Sequence, residues 1–157
     1  MNKSDFDDVL AKIPYGVSVV TTGRGGVENG LTVSWMSQVS FDPPMLMVAV
    51  DKLHYSLDLL RSTKNFCVNL LGDGQQPLAG RFAKQAFAGD DKLTQVAQRP
   101  ANSGAAILTD SVAYFDCEVG DIVEAGDHLI VIGRIEDAAV LTGGAPLLSG
   151  SGLRYRK

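Results

Sequence analysis

The stretch NGLTVSWMSQVSFDPP, residues 29–44, decides the interpretation of the fold, because it combines an alternating pattern with a rigid corner. Over residues 30–36 the side chains alternate in character, as they do in a strand that turns one face to a core. The core face would carry Leu31, Val33 and Trp35, and the opposite face Thr32, Ser34 and Met36. The Asp-Pro-Pro sequence then predicts a sharp turn after this extended segment.

The face opposite the core is rich in uncharged polar groups. It offers two hydroxyls and a thioether, and the residues Ser37, Gln38 and Ser40 continue the supply. Such a surface suits a flat ligand with polar edges. The alternative is an ordinary half-buried strand whose hydroxyls face water, since threonine is a common strand residue.

Length and composition indicate one globular domain that handles small molecules. A chain of 157 residues with 45% apolar and 20% charged residues has the size and balance of a single folded unit. The net charge is -4, and the longest basic cluster is RYRK at residues 154–157. Electrostatic capture of nucleic acid or of an anionic membrane is therefore not expected.

The cysteines and the apolar runs indicate the cellular compartment in which the protein is expected. Cys67 and Cys117 stand inside apolar alternating segments without a partner at metal-ligand spacing, so both are predicted to be buried thiols. The longest apolar run, residues 45–50, is far shorter than the roughly 20 residues that span a bilayer. The first residues do not resemble a secretory signal. We expect a soluble, cytoplasmic protein.

Strand signals dominate the rest of the chain. The predicted strands are 17–22, 30–36, 45–50 (buried on both faces), 65–71, 112–119 and 128–140, with the first two forming a hairpin and the last two antiparallel neighbours. The first predicted helix is a segment that Ser4 caps, with Asp7 at the capping-box position, an apolar stripe of Phe6, Val9, Leu10 and Ile13, and an end at Pro14. The others are one or two turns over 55–62, and 75–84 with Pro77 in its first turn. The polar segment 85–108 is predicted to be a surface excursion or a mobile lid.

This pattern favours a mainly antiparallel barrel with a few short helices over its ends. A dinucleotide fingerprint is missing, because Glu28 stands where its third glycine would be. A phosphate would therefore be bound by hydroxyls, loop amides, a basic side chain or a helix amino terminus.

The two histidines do not belong to a nucleophile or metal motif, and no metal site is predicted. His54 lies in a polar loop after a strand, where a solvated imidazole is the natural expectation. His128 follows Glu124, Gly126 and Asp127 at the start of a strand. It is either a residue with a functional imidazole or a turn histidine without chemistry.

An ordered set of segments resembles the flavin reductase-like family, whose members form FMN-binding split barrels. The matching segments are IPYGVSVVTT, NGLTVSWMSQVSFDPPMLMVAV, NFCVNLL, AGRFA, EAGDHLIVIGRIED and PLLSGSGLRYRK. They cover most of the length, which implies a single flavin reductase-like domain over residues 1–157. The piece SWMSQVSFDPP is most similar to the flavin reductase domains of flavodiiron proteins, and the reductase components of two-component monooxygenases share the layout.

The resemblance implies a homodimer that binds FMN, or FAD more loosely, and reduces it with NADH or NADPH. It places the following residues at the flavin: Thr32, Val33, Ser34, Trp35, Met36, Ser37, Ser40, Val50, Asp51, Lys52, Ser56 and Phe82. Among them Lys52 and Ser56 are candidates for the phosphate, and Phe82 either packs near the flavin edge or has a purely structural role. His128 is placed beside the nicotinamide as the candidate catalytic residue.

Trp35 and Met36 depart from the smaller or different residues of many monooxygenase reductases, and a bulky indole would hold flavin tightly. Two functions therefore stay open: a reductase that passes reduced flavin to a monooxygenase or another acceptor, and an electron-transfer protein that retains FMN. A third possibility is a barrel of this fold that binds a different ligand.

Overall fold

The computed structural model describes residues 2–84 and 91–149, and antiparallel strands make up most of it. Its helices are α1 (Lys3–Leu10), α2 (Ser56–Thr63) and α3 (Gln76–Ala83). Its strands are β1 (Ser18–Arg24), β2 (Val27–Val33), β3 (Met36–Phe41), β4 (Pro44–Asp51), β5 (Asn65–Leu70), β6 (Gln98–Pro100), β7 (Ala106–Leu108), β8 (Ala113–Ala125) and β9 (His128–Val140).

Seven strands form one sheet in the order β2-β1-β5-β8-β9-β4-β3. The two edge strands, β2 and β3, are consecutive in the chain, and residues 34–35 connect them. Within the described part of the chain the two edges are not paired with each other, so the barrel stays open where this connection crosses. The expected mainly antiparallel split barrel with a few short helices is confirmed.

Several predicted elements are present at the expected places. β1 and β2 form a hairpin that pairs Ser18 with Val33 and Arg24 with Val27. β8 and β9 are antiparallel neighbours along almost their whole length, and β5 matches its predicted strand to within one residue. Helix α3 carries its proline in the first turn, where the missing N–H is tolerated.

The barrel interior is filled by alternating residues of the sheet and by one face of α2. Its members include Val20, Leu31, Val33, Val48, Phe66 and Leu129 from the strands and Leu57 and Leu60 from α2. A second cluster lies between the outer face of β1 and helix α3 and contains Val19, Phe82 and Leu93. Strand β2 therefore contacts the interior with one face and α3 with the other.

Helix α1 differs from its prediction at both the cap and the apolar stripe. Asn2, not Ser4, is the N-cap, and Asp5 completes the capping box in place of Asp7. The side chain of Asn2 accepts the Asp5 N–H at 3.1 Å, which satisfies a donor that Ser4 would leave open. Phe6 and Val9, which were expected to face a core, are 52% and 63% exposed.

Two further segments are packed differently from the sequence expectation. Residues 45–50 were predicted to be buried on both faces, but β4 buries Leu46, Val48 and Val50 and leaves the alternate residues half-buried. The described part of the segment 85–108 is not a mobile lid, because β6 and β7 pair and Ile107 is fully buried. Residues 85–90 and the predicted final segment 153–156 lie outside the described residues.

Both cysteine predictions are confirmed. Cys67 and Cys117 are free thiols buried in the sheet, and burial raises the pKa of Cys117 to about 12. The described side chains do not include a group of three His, Cys, Asp or Glu residues able to hold a metal ion. Among the described helices, none has the length and apolar character needed to cross a membrane.

Candidate functional site

The connection between β2 and β3 brings Trp35 to the open side of the barrel. The predicted strand over residues 30–36 is wrong in its second half, because β2 ends at Val33. The carbonyl oxygen of Trp35 then accepts the N–H of Ala49 in β4 at 2.9 Å, so pairing with a distant strand overrides the local alternation. Trp35 is half-buried instead of joining the core as predicted, and Ser34 beside it is also half-buried.

The carboxyl end of β4 meets the start of β9. Asp51 pairs with His128 in the ladder, and Val50 pairs with Leu129. The N–H of Lys52 donates to the Asp127 carbonyl at 3.1 Å. The predicted residues 50–52 and His128 are therefore brought together by backbone pairing, which is a rigid arrangement.

His128 is buried between this corner and the β2–β3 connection. Its side chain is 8% exposed, and Nδ1 lies 2.7 Å from Oδ1 of Asp127. A carboxylate only accepts hydrogen bonds, so Nδ1 carries a proton that it donates to Asp127. The imidazole and the Trp35 indole are tilted by 44°, with ring centroids 4.8 Å apart. Two aromatic rings with polar edges thus stand side by side at the open side of the barrel.

His54 and Ser56 form the amino end of helix α2. Nδ1 of His54 accepts the Ser56 N–H at 3.1 Å, so the imidazole caps the helix. The prediction of a solvated His54 is wrong, because the ring is half-buried. Burial, together with the positive charge of Lys92, lowers the pKa of His54 from 6.5 to about 4. The ring is therefore neutral at neutral pH and able to accept this hydrogen bond.

The cap makes stability depend on pH. Unfolded His54 takes up a proton near its ordinary pKa of 6.5, whereas folded His54 does so only near 4. Its contribution to the free energy of unfolding is therefore present above pH 6.5 and is lost as the pH falls to 4. The variant His54→Asn keeps an acceptor for the Ser56 N–H but does not titrate. Urea unfolding at a series of pH values should show the free energy of unfolding of the variant rising relative to that of the wild type as the pH falls from 6.5 to 4. A difference that stays constant over this range would contradict the assignment.

The hydroxyl of Ser56 is buried and has no hydrogen-bond partner among the described residues. Ser56 itself is only 1% exposed. The side-chain amide nitrogen of Asn29 is also buried without a hydrogen-bond partner among the described residues, and its strand β2 contacts α2. Buried polar atoms are normally satisfied, so the Ser56 hydroxyl at the amino end of α2 is a candidate to receive a hydrogen bond from a ligand.

Thr32 and Phe82 lie on the α3 side of β2, away from His128. The Thr32 hydroxyl donates to the Ala79 carbonyl at 2.6 Å. Phe82 is fully buried, and its ring fills the space above Gly30, where an added Cβ would come within 2.8 Å of Cε1. Val33 points into the barrel core. The contacts of these three residues are structural within one copy of the chain.

The remaining predicted residues follow β3 away from His128. Met36 pairs with Val48, Ser37 with Met47 and Ser40 with Met45. Since His128 pairs with Asp51, six residues farther along β4 than Met45, Ser40 lies on the order of 20 Å from His128 along the sheet. One copy therefore assembles Ser34, Trp35, Met36, residues 50–52 and His128, with Ser56 on the adjoining helix, and leaves Ser40 at the far end.

Sequence reasoning missed Lys92 and Arg81, which lie at the carboxyl end of α3. Lys92 is 5% exposed and donates to the carbonyls of Phe82 and Lys84. Arg81 donates in return to the carbonyls of Lys92 and Thr94, each at 2.6 Å. Lys92 stands in a polar stretch of sequence, DDKLTQ, that carries no signal of a buried cation.

A cleft of about 810 Å³ runs along α3 and is lined by Pro77, Arg81, Gln95 and Leu108 among others. None of the predicted site residues lines it. The cleft along α3 is therefore separate from the candidate site within the described part of the chain.

Comparison with protein families and known structures identifies the chain. The flavin reductase like domain model matches residues 10–155. Diflavin flavoprotein A 1 of Synechocystis sp. is 35% identical over 138 residues, which are 87% of this chain and 24% of the relative. The reductase subunit HsaB of a flavin-dependent monooxygenase of Mycobacterium tuberculosis is 30% identical over 131 residues, covering 83% of this chain and 68% of the subunit.

Solved structures agree with the sequence relatives. The NADH:FAD oxidoreductase SgcE6 of Streptomyces globisporus, in complex with NAD and FAD fragments, superposes with a TM-score of 0.87 and 29% identity, covering 99% of this chain and 92% of that one. The flavin reductase PheA2 superposes with a TM-score of 0.82 and 30% identity, covering 94% and 93%. The chain spans only about a quarter of the diflavin flavoproteins that it matches. Because the family model matches nearly the whole length of the chain, the chain belongs to the flavin reductase like domain family.

Proposed function

We propose that the chain is an NAD(P)H-dependent flavin reductase, which transfers hydride from NADH or NADPH to FMN or FAD. The observation that carries this proposal is the corner where Trp35, residues 50–52 and His128 meet at the open side of the barrel. The names of the relatives support it, since HsaB is the reductase subunit of a monooxygenase and SgcE6 an NADH:FAD oxidoreductase.

The residues present fit a flavin. Trp35 and Met36 offer half-buried surface to a flat ring, and residues 50–52 lie beside them. The orphaned Ser56 hydroxyl at the amino end of α2 suits an anionic group, and Lys52 is a second candidate for it. The Lys52 ammonium already lies 3.5 Å from the Glu124 carboxylate. Flavin, when bound, supplies the acceptor for the hydride.

In this proposal the protein positions two rings, and acid–base catalysis is not required. Hydride transfer depends on near contact between donor and acceptor rings. His128 orients the nicotinamide, and Asp127 fixes the ring by accepting the Nδ1 proton.

We also propose that the working unit is a homodimer in which a second copy completes the site. Ser40 and residues 50–52, which the family resemblance places at one flavin, lie on the order of 20 Å apart along the sheet in one copy, and the cleft along α3 is not lined by the site residues. Two large apolar side chains are available for burial between copies: Leu53, next to Lys52, is 89% exposed, and Phe41, at the far end of β3, is 90% exposed. Sedimentation analysis tests this, and a monomer at assay concentration would contradict it.

The function is tested by NAD(P)H oxidation with and without added FMN or FAD, followed by filtration of the mixture. Oxidation that depends on added flavin, with reduced flavin in the filtrate, supports the reductase and its supply of reduced flavin to a monooxygenase or another acceptor. No oxidation with either nucleotide and either flavin would overturn the proposal.

A second candidate is an electron-transfer protein that retains FMN. The half-buried Trp35 indole, packed beside His128, favours it, because a bulky aromatic wall slows flavin release. The diflavin flavoproteins, of which this chain matches about a quarter, are relatives in which a domain of this kind is part of a longer protein. Flavin that is reduced and stays with the protein on the filter would establish this function instead.

A further inference from the structure

We propose that Trp35 is a positioning residue that couples the two substrate sites: flavin that contacts the indole holds the imidazole of His128 in place for the nicotinamide. Flavin and nicotinamide nucleotide then bind cooperatively, and each raises the affinity of the chain for the other. This inference rests on the proposed flavin reductase function, which places Trp35 at the flavin and His128 at the nicotinamide. It adds an interaction between the two sites that hydride transfer does not itself require.

The first support is the contact between the two rings. The centroids of the Trp35 indole and the His128 imidazole lie 4.8 Å apart, and the ring planes are tilted by 44°. Aromatic rings at this separation attract each other beyond the burial of their surfaces. A ligand that restricts the indole therefore also acts on the imidazole.

The second support is that one sheet holds the backbones of both residues. The carbonyl oxygen of Trp35 accepts the N–H of Ala49 at 2.9 Å, and Ala49 pairs with Ile130 of β9. Two residues farther along the same pair of strands, Asp51 pairs with His128. Because this ladder fixes both backbones, the rings change their contact mainly by side-chain rotation. The contact is therefore sensitive to a ligand that selects one rotamer of the indole.

The third support is that the two rings differ in exposure. His128 is 6% exposed, whereas Trp35 is half-buried and keeps part of its indole surface accessible. The Asp127 carboxylate, which accepts the Nδ1 proton of the imidazole, is 67% exposed, so water competes for this hydrogen bond. The indole contact therefore adds to the restraint on the imidazole, and flavin that covers the indole strengthens that contact.

Cooperativity of this kind is reciprocal. If flavin raises the affinity for the nucleotide by a given factor, the nucleotide raises the affinity for flavin by the same factor. The second ligand to bind also pays less for ordering the two rings, because the first ligand has already ordered them. The two binding equilibria therefore give two independent measurements of one coupling factor.

The test uses oxidised FMN with NAD⁺ or NADP⁺, because these oxidised partners bind without hydride transfer. The FMN dissociation constant of the full chain is measured without nucleotide and with saturating nucleotide, and the coupling factor is the ratio of the two constants. We expect a factor of about five or more for at least one nucleotide. Trp35 is the only tryptophan of the sequence, so its fluorescence reports directly on the indole as each ligand binds.

Three variants show whether the indole carries the coupling. Trp35→Leu keeps an apolar side chain without the aromatic ring, and its coupling factor is expected to fall below about two. Trp35→Phe guards against a folding defect and should retain more of the coupling than the leucine variant. Phe6→Leu, at a half-exposed aromatic residue of α1, is the matched control and should leave the factor unchanged. If Trp35→Leu weakens FMN equally with and without nucleotide, the role of the indole is purely structural and the proposal is overturned.

A double-mutant cycle with His128→Ala tests whether Trp35 acts through the imidazole. If it does, His128→Ala abolishes the coupling by itself, and adding Trp35→Leu causes no further loss of nucleotide affinity in the presence of FMN. Additive losses from the two substitutions would show that the indole acts on the nucleotide by another route, and would overturn the proposal.

The outcome is separable from that of the proposed function. A wild-type protein that oxidises NAD(P)H with added flavin but has a coupling factor near one would support the reductase and overturn the coupling. A protein that binds FMN more tightly with nucleotide, and loses this effect in Trp35→Leu, but does not oxidise NAD(P)H would contradict the reductase and support the coupling.

Discussion

Replacement of His128 with alanine is expected to raise KM for the nicotinamide nucleotide on the order of tenfold, while flavin affinity changes less than about twofold. The imidazole is held by Asp127 at 2.7 Å and stands beside Trp35, so it is positioned before any nucleotide binds. Of the proposed flavin contacts, the Trp35 indole packs against this ring, whereas those on β3, β4 and α2 are held by their own strands and helix. Steady-state kinetics with each substrate varied in turn, and a flavin titration, measure the two effects.

Two controls separate this role from a structural one. His128 is 6% exposed, so truncation leaves a cavity, and thermal unfolding must show that the variant is folded. Asp127→Asn keeps the imidazole but replaces the carboxylate that fixes it, and a smaller rise in the nicotinamide KM is expected. Equal loss of affinity for nicotinamide and flavin would show that His128 does not distinguish them and would remove its assigned role.

Gly133→Ala is expected to lower the free energy of unfolding by about 1–3 kcal/mol, because the barrel core leaves no room for a methyl group there. A Cβ built at Gly133 would lie 2.4 Å from Cε1 and 2.5 Å from Cζ of Phe66. Phe66 is fully buried, so its ring cannot move aside without disturbing the interior cluster. The missing side chain of Gly133 therefore leaves the space that the Phe66 ring fills on the same sheet.

Gly120→Ala is the matched control on the neighbouring strand. A Cβ there would be 3.5 Å from the Ile132 carbonyl oxygen, which is ordinary contact. Urea unfolding of both variants should show a loss for Gly133→Ala only. Equal stability of the two variants would mean that Phe66 adjusts freely and that packing at this position is loose.

The elements that the sequence predicts correctly are those in which local pattern and tertiary pairing agree. The β1–β2 and β8–β9 hairpins connect sequence neighbours, so alternation and turn residues are sufficient to predict them. The fold class follows from the number of such strands. Helix α3 was also predictable, because a proline in the first turn marks its start.

The errors arise where distant contacts decide the conformation. Alternation over residues 30–36 continues past Val33, but the Trp35 carbonyl bonds to Ala49 of β4 and ends the strand. The segment 85–108 is polar overall, yet its apolar minority, including Leu93 and Ile107, is buried against the sheet. In both cases composition describes the average environment, and long-range packing determines the position of each residue.

The candidate site shows the same division. The start of β9 at His128 was predictable from the glycine turn before it, whereas the role of His128 came from the family resemblance and stays a proposal; its pairing with Asp51 appears only in the β4–β9 register. Lys92 was not predictable, because burial of a lysine by the carboxyl end of a helix depends on how residues 91–94 fold back onto α3. The capping role of His54 likewise depends on the turn before α2.

The central claim, that the protein brings a nicotinamide and a flavin into contact for hydride transfer, is tested most directly by anaerobic stopped-flow absorbance. The purified chain, saturated with FMN, is mixed with NADH or NADPH, and the visible flavin band is followed against a mixture without protein. We predict rapid bleaching with at least one nucleotide that the protein-free mixture does not show, and slower bleaching when the transferred hydrogen of the nucleotide is deuterium. Bound flavin that stays oxidised with both nucleotides would contradict the claim.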